Sequence, residues 1–202
     1  MTEPGLRERK REATAQALAQ AAFELAREHG VDGFVIDDVA RRAGYSRRTF
    51  ANHFSCKEEA IAMVAFRGVS EATIALGDLA ADLPLLDALH EVLRAQLTTE
   101  AFVQMRELVV LSGRYPSLEP YVFALQHWMR HSAQETLRTA ARDRHPGIYA
   151  PLLFGAVYGA ISAALEGALD VHVPDGASTA QPGSIDYEEF LELAFDYLRS
   201  GF

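Results

Sequence analysis

The chain has 202 residues, 49% of them apolar, enough to build the core of one large domain or two small ones, and this excludes disorder as a global description. A single cysteine excludes an internal disulfide framework and fits a reducing compartment, so a cytoplasmic protein is expected. The formal net charge of -9 is unevenly placed: residues 1–60 hold 10 basic and 10 acidic side chains, whereas residues 61–202 hold 9 and 18.

The first residues are charged at Glu3, Arg7, Glu8, Arg9, Lys10, Arg11 and Glu12, so no apolar signal segment is expected. From Leu6 to His29 helix formers dominate, Leu18, Ala22, Leu25 and Ala26 return to one face, and Gly30 supplies a stop. Two short helices are predicted over Asp37–Ala43 and Arg47–His53, followed by a longer one starting near Lys57. Further helices are predicted over Leu85–Leu97, Phe102–Ser112, Leu118–Ala141, Tyr149–Leu169 and Tyr187–Arg199, with proline punctuation at Pro84, Pro116 and Pro146. The stretch from Pro174 to Gly183 reads as a flexible surface loop. Period-two alternation is not sustained anywhere, so the expected class is all-α. The uncharged run from Pro146 to Leu165 contains Pro151, Gly155, Gly159 and Ser162, and reads as a buried helix rather than a membrane span.

The chemistry-bearing segment runs from Val35 to Ala60. Ile36, Val39, Ala40 and Ala43 can form the buried side of the first short helix, and Gly44 permits a tight reversal. Ser46 can cap the second, turning Phe50 and Phe54 inward and leaving Arg47, Arg48, Thr49 and Asn52 to meet base edges or phosphates in a major groove. Tyr45 either fills the core side of the turn or offers its hydroxyl to DNA, and His53 is either a hydrogen-bonded helix end or a base reader. Lys57, at the next helix start, can meet a phosphate.

This segment resembles the TetR family of bacterial transcriptional regulators over about Arg11 to Ala60. The matching pieces are Phe23 to Gly30, Val39-Ala40, Ala43-Gly44-Tyr45-Ser46, Phe50, His53-Phe54 and Lys57-Glu58. Three positions depart from the pattern: Val35 stands where threonine often caps the helix and approaches a phosphate, Ala51 where tyrosine is frequent, and Cys56 where a small polar residue is usual. The resemblance implies a helix-turn-helix DNA-binding domain over residues 1–57 and a larger helical effector-binding and dimerisation domain over 58–202. It also implies a cytoplasmic homodimer that represses transcription from a palindromic duplex operator and is released by a small hydrophobic effector.

In the second domain the polar and aromatic candidates for an effector pocket are His90, Gln104, Arg106, Tyr121, Gln126, His127, Trp128 and His131, with Leu125 and Met129 as wall. Gly155, Gly159, Ala163 and Gly167 recur every four residues and allow close helix approach beside Phe154, Tyr158, Ile161 and Leu165. With Leu191, Ala194, Phe195 and Leu198 of the last helix they form, by the resemblance, a four-helix seam between two chains. His127 and His131 lie one turn apart, but no further ligand completes a zinc site, so neither metal nor cofactor is expected. A nucleophile elbow and a phosphate loop are both missing from the sequence, which weighs against an enzyme. A non-enzymatic helical interaction protein, or an activator on the same scaffold, is the competing reading.

Overall fold

The computed structural model describes residues 5–66, 68–141, 144–172 and 184–201. Among them the helices are α1 (Leu6–His29), α2 (Ile36–Ala43), α3 (Arg47–Ala51), α4 (Lys57–Met63), α5 (Val69–Asp82), α6 (Leu85–Gln96), α7 (Thr99–Arg114), α8 (Glu119–Ala141), α9 (Tyr149–Leu165) and α10 (Tyr187–Ser200). Three-residue 3-10 turns, Val31–Gly33 and Val64–Phe66, join α1 to α2 and extend α4. The class is all-α, with one minor addition: Val171–His172 (β1) and Ile185–Asp186 (β2) pair in parallel. Two residues are too few to show alternation. The loop expected over 174–183 lies outside the described residues, and among the described residues no helix is long and apolar enough to cross a membrane.

The chain falls into two compact units, Met1–Arg67 with Val110–Gln126, and Gly68–Val109 with His127–Phe202. Unit 1 is built on α1, which packs on α2 and α4 while α2 packs on α3; Leu18, Ala22 and Phe23 of α1, Val39 of α2, Phe50 of α3 and Ile61 of α4 are all buried. Leu118 and Val122, from its second stretch, are buried too. Gly30 ends α1 at φ 74° and ψ 164°, and the Tyr115 hydroxyl lies where its Cβ would stand, so both backbone conformation and space require glycine there.

Unit 2 has a core of Leu85, Ala88 and Leu89 on α6, Leu137 on α8, Leu153 and Val157 on α9, and Leu191 and Phe195 on α10. A second cluster joins Leu97 and Phe102 to Val171, Tyr187 and Phe190. The Tyr187 hydroxyl donates to the Leu97 carbonyl, and burial pushes its pKa above the ordinary phenol value. The long helix expected from Lys57 is in fact two: α4 tightens into the 3-10 turn, and Gly68 takes a left-handed conformation before α5 begins. Helix α9 stops at Leu165, four residues earlier than expected, because Gly167 adopts a left-handed conformation and the Ala168 and Gly167 N–H groups close a C-terminal cap onto Ala163 and Ala164.

Candidate nucleic-acid interface

Helix α2 is anchored before it can present its neighbour. Arg42 makes a two-pronged pair with Glu28 of α1, at 2.6 Å for each arm, and Val39 and Ala40 are buried under it, with Ile36 half-buried. Valine at the cap position offers no side-chain acceptor, and only the reciprocal half of a capping box forms, with the Val35 N–H donating to Asp38 at 3.0 Å. The helix ends in a two-bond glycine cap. Gly44 sits at φ 76°, its N–H reaching Arg41, and the Tyr45 N–H reaches Ala40 at 2.8 Å.

That reversal aims α3. Ser46 caps it, accepting the Thr49 N–H at 3.1 Å, and the Ser46 and Thr49 hydroxyls lie 2.9 Å apart. Phe50 and Phe54 are buried with ring centroids 5.6 Å apart, which fixes the opposite face of α3 toward solvent. On that face Arg47, Arg48 and Asn52 are exposed and Thr49 is half-buried. Helix α3 is shorter than expected, so Asn52 is its C-cap and His53 follows it. Arg47 makes an ion pair with Asp37 at 3.0 Å, but its side chain stays 68% exposed and such a pair is worth little, leaving the guanidinium available. Tyr45 is partly exposed, its hydroxyl 3.5 Å from Thr14 Oγ1 of α1. His53 is half-buried; desolvation, and then the Arg11 cation, hold its pKa below the ordinary histidine value.

Lys57 is differently placed from the others. Its ammonium donates to the Phe34 carbonyl at 2.8 Å and lies 5.0 Å from the Phe34 ring centroid, so a phosphate at the start of α4 meets the amine only if it leaves Phe34. Cys56 caps α4 through Sγ, which accepts the Glu59 N–H at 3.4 Å. Tyr121, one of the pocket candidates, lies beside Cys56, which with Glu58 and Glu59 raises the phenol pKa.

Of the pocket candidates, Tyr121, Leu125 and Gln126 belong to unit 1 and the remainder to unit 2. His90 is buried, stacked on Phe195 at 4.4 Å, with Nδ1 2.9 Å from Arg199 and Nε2 3.2 Å from Glu192. Arg106 donates to the Val171 carbonyl at 2.9 Å, and Gln104 and Met129 are half-buried. His127, Trp128 and His131 are exposed on α8. Among the described residues no group of three or more histidine, cysteine or acidic side chains is placed to hold a metal ion.

Of the seam candidates, Gly155 and Gly159 are exposed, and among the described residues nothing lies within 4 Å of where a Cβ would stand on either. Leu191 and Phe195 lie in the core of a single chain, while Ala194, Leu198, Ile161 and Leu165 are half-buried against the two clusters. Phe154 stacks on Tyr158, whose ring carries Arg130 at 5.0 Å. The exposed apolar residues of these helices are ones that periodicity did not single out: Leu152 on α9, and Leu193 and Tyr197 on α10. Their signal was the spacing Leu152-Gly155-Gly159, one turn at a time along α9.

Comparison with known proteins bears on the two units unequally. The pattern of the bacterial regulatory proteins of the tetR family matches residues 18–62, which hold the second half of α1, all of α2 and α3, and all of α4 but its last residue. The HTH-type transcriptional regulator TcmR of Streptomyces glaucescens is 35% identical over 72 residues, a match spanning 36% of this chain and 31% of that one. In fold, a TetR-family transcriptional regulator of Mesorhizobium loti superposes with a TM-score of 0.53 at 17% identity, over 94% of this chain and 95% of that chain. SmeT, the repressor of the Stenotrophomonas maltophilia multidrug efflux pump SmeDEF, superposes with a TM-score of 0.52 at 22% identity, over 92% and 88%. These two likenesses are of fold. Residues 18–62 carry the pattern of the tetR family of bacterial regulatory proteins, and α2, the turn at Gly44 and α3 form a helix-turn-helix within that match.

Proposed function

We propose that the protein is a homodimeric transcriptional repressor, with residues 1–57 reading a palindromic operator and residues 58–202 binding a small hydrophobic effector that releases it. The observation that carries the reading is α3 itself: a capped helix, pinned by buried Phe50 and Phe54, that turns Arg47, Arg48 and Asn52 to solvent. A helix so mounted enters a major groove with its first turn toward the base edges, and a two-fold pair of them reads two half-sites. Tyr45, Thr49 and His53 border the same face.

The experiment is the double variant Arg47→Ala/Arg48→Ala, assayed against a selected duplex over a salt series beside circular dichroism and sedimentation. Affinity for the selected duplex falls at least tenfold, and the salt slope falls by about 0.9 for each lost phosphate contact. A folded variant with unchanged affinity and slope overturns the reading.

The pairing of two chains is placed on Leu152, Gly155 and Gly159 of α9 with Leu193 and Tyr197 of α10. Gly159→Leu meets open space within one chain, so it keeps the helical content and loses the dimer; wild-type sedimentation would refute the seam. For the effector, linkage requires that operator and effector weaken each other equally. A ligand recovered by native mass spectrometry therefore binds the free protein more tightly than the operator-saturated protein, and equal affinities reject the release mechanism.

A further inference from the structure

Helix α1 begins well before it reaches the core. Its first buried residue is Leu18, and residues 6–13 are exposed to solvent on all sides, in a helix of 24 residues. Arg7, Arg11, Thr14 and Leu18 follow the i, i+4, i+7, i+11 spacing of one helix face. The inner end of that face is fixed at two points: Leu18 is fully buried in unit 1, and Thr14 Oγ1 lies 3.5 Å from the Tyr45 hydroxyl, at the turn that aims α3. Arg11 therefore stands one turn further out along the same face, and Arg7 two turns. The depressed pKa of His53, in which the Arg11 cation has a part, agrees with that placement.

The acidic residues of this overhang lie elsewhere. Glu8 and Glu12 are set about 100° round the axis, in line with Ala15 and Ala19. Glu12, Ala15, Gln16 and Ala19 line a groove of about 80 Å³ with Met63 and Val64, on the α4 side of the helix. Arg7 and Arg11 thus lie on the face shared with Tyr45 and Glu8 and Glu12 are turned toward the end of α4, while Lys10 flanks the basic face and Arg9 stands on the opposite side of the helix. A helix seated in a major groove is flanked by phosphate backbone, and a neighbouring helix packs at roughly 8–10 Å between axes, which brings its basic face to that backbone.

We infer that Arg7 and Arg11 form a second duplex contact, a clamp on the phosphate backbone beside the groove that α3 enters. The inference rests on the operator-binding reading above and adds to it a sequence-independent grip from outside the segment that matches the family pattern. Phosphates rather than bases are the partner, because an arginine overhang beside the groove meets the charged backbone before it meets any base edge.

The test is Arg7→Ala/Arg11→Ala in the full chain, measured against the selected duplex and a scrambled duplex over a salt series. Alanine favours helix, so α1 keeps its conformation and circular dichroism is unchanged. Affinity for both duplexes falls by roughly the same factor, tenfold or more, and the salt slope falls by about 1.8 per chain. Arg7→Lys/Arg11→Lys restores most of the slope, since a phosphate accepts either cation. A control pair on unit 2, Arg94→Ala/Arg138→Ala, removes the same charge and leaves affinity within about twofold, because each of these arginines is paired with a glutamate on its own helix and neither belongs to the unit that carries α3. The clamp is overturned by unchanged affinity and slope, by a loss confined to the selected duplex, or by an equal loss in the control pair. If the wild type grips no duplex, or if Arg47→Ala/Arg48→Ala changes nothing, the operator reading falls and the clamp with it. If that variant loses binding while Arg7→Ala/Arg11→Ala does not, the clamp alone falls.

Discussion

In unit 1, Arg7, Arg11, Arg47 and Arg48 are exposed, whereas in unit 2 Arg106 donates to the Val171 carbonyl, Arg144 to the Leu83 and Ala140 carbonyls, and Arg199 joins Asp87 to His90. A guanidinium facing water reaches an anion at little cost, but one already filled by carbonyls and carboxylates must first give them up. Exposed cations remain in unit 2 as well, Arg94 and Arg138 each paired with a glutamate on its own helix, so the grouping of cations on one face, rather than their number or the net charge of the chain, marks unit 1 for a polyanion. Unit 1 has its own exception: Arg42, fixed on Glu28, serves as a strut between α2 and α1.

The contrast extends to how each unit is held, and the largest expected effect tests it in unit 2. Phe195 is 1% exposed and stacks on His90. Phe195→Ala should cost about 3–5 kcal/mol, the loss expected for emptying a packed aromatic site. Leu193→Ala, on the same helix but 43% exposed, should cost less than about 0.5 kcal/mol. Urea midpoints measured on the Gly159→Leu background keep association out of the comparison. Equal costs for the two variants would show that Phe195 is not a core residue.

In unit 1 the corresponding weak point is a backbone reversal. Gly30→Ala combines an unfavourable φ with crowding against the Tyr115 hydroxyl, for a loss of about 2 kcal/mol. Adding Tyr115→Phe should recover only the crowding part, so the double variant falls between Gly30→Ala and the wild type. Full recovery would mean that space alone demanded glycine.

The same difference explains what was legible in the sequence. Gly30, Gly44, the Ser46 cap, and Phe50 and Phe54 could be read because each acts within a few residues of its own position. Roles that depend on distant partners could not. Tyr121 and His90 are pocket candidates by chemistry alone, and the sequence does not show that the first lies beside Cys56 or that the second stacks on Phe195. Gly167 continued a four-residue spacing and was taken for part of a helical stripe, although spacing is blind to a left-handed cap. The break between α4 and α5 carries no proline, and Gly68 alone marks it in the sequence. The sorting of Arg7 and Arg11 from Glu8 and Glu12 was present in the spacing, but only the Thr14 contact with Tyr45 shows which way the basic face points.

A smaller effect separates the scaffold of unit 1 from its charge. Ser46→Ala removes the α3 cap and should cost about 1 kcal/mol, whereas Ser46→Asp keeps an acceptor for the Thr49 N–H and should leave stability nearly unchanged. The aspartate nevertheless sets an anion beside the groove-facing turn, so duplex affinity should fall for Ser46→Asp more than for Ser46→Ala. The opposite order would mean that α3 does not face phosphate.

The smallest effect is a titration. Desolvation first, and Arg11 second, hold the His53 pKa below the ordinary value of about 6.5. As pH falls the unfolded chain takes up this proton before the folded chain does. Above about pH 6.5 the group contributes nothing to the pH dependence; below it, stability declines until the folded value is passed and is level thereafter. Arg11→Ala removes the lesser cause, so the His53 resonance should titrate at higher pH in that variant and still below an unstructured histidine. Lys10→Ala, which removes an equal charge from the neighbouring position on α1, should move it less. If Arg11→Ala leaves the titration where it was, Arg11 does not stand beside α3, and the placement of the basic face of α1 on the duplex side loses the support that His53 gives it.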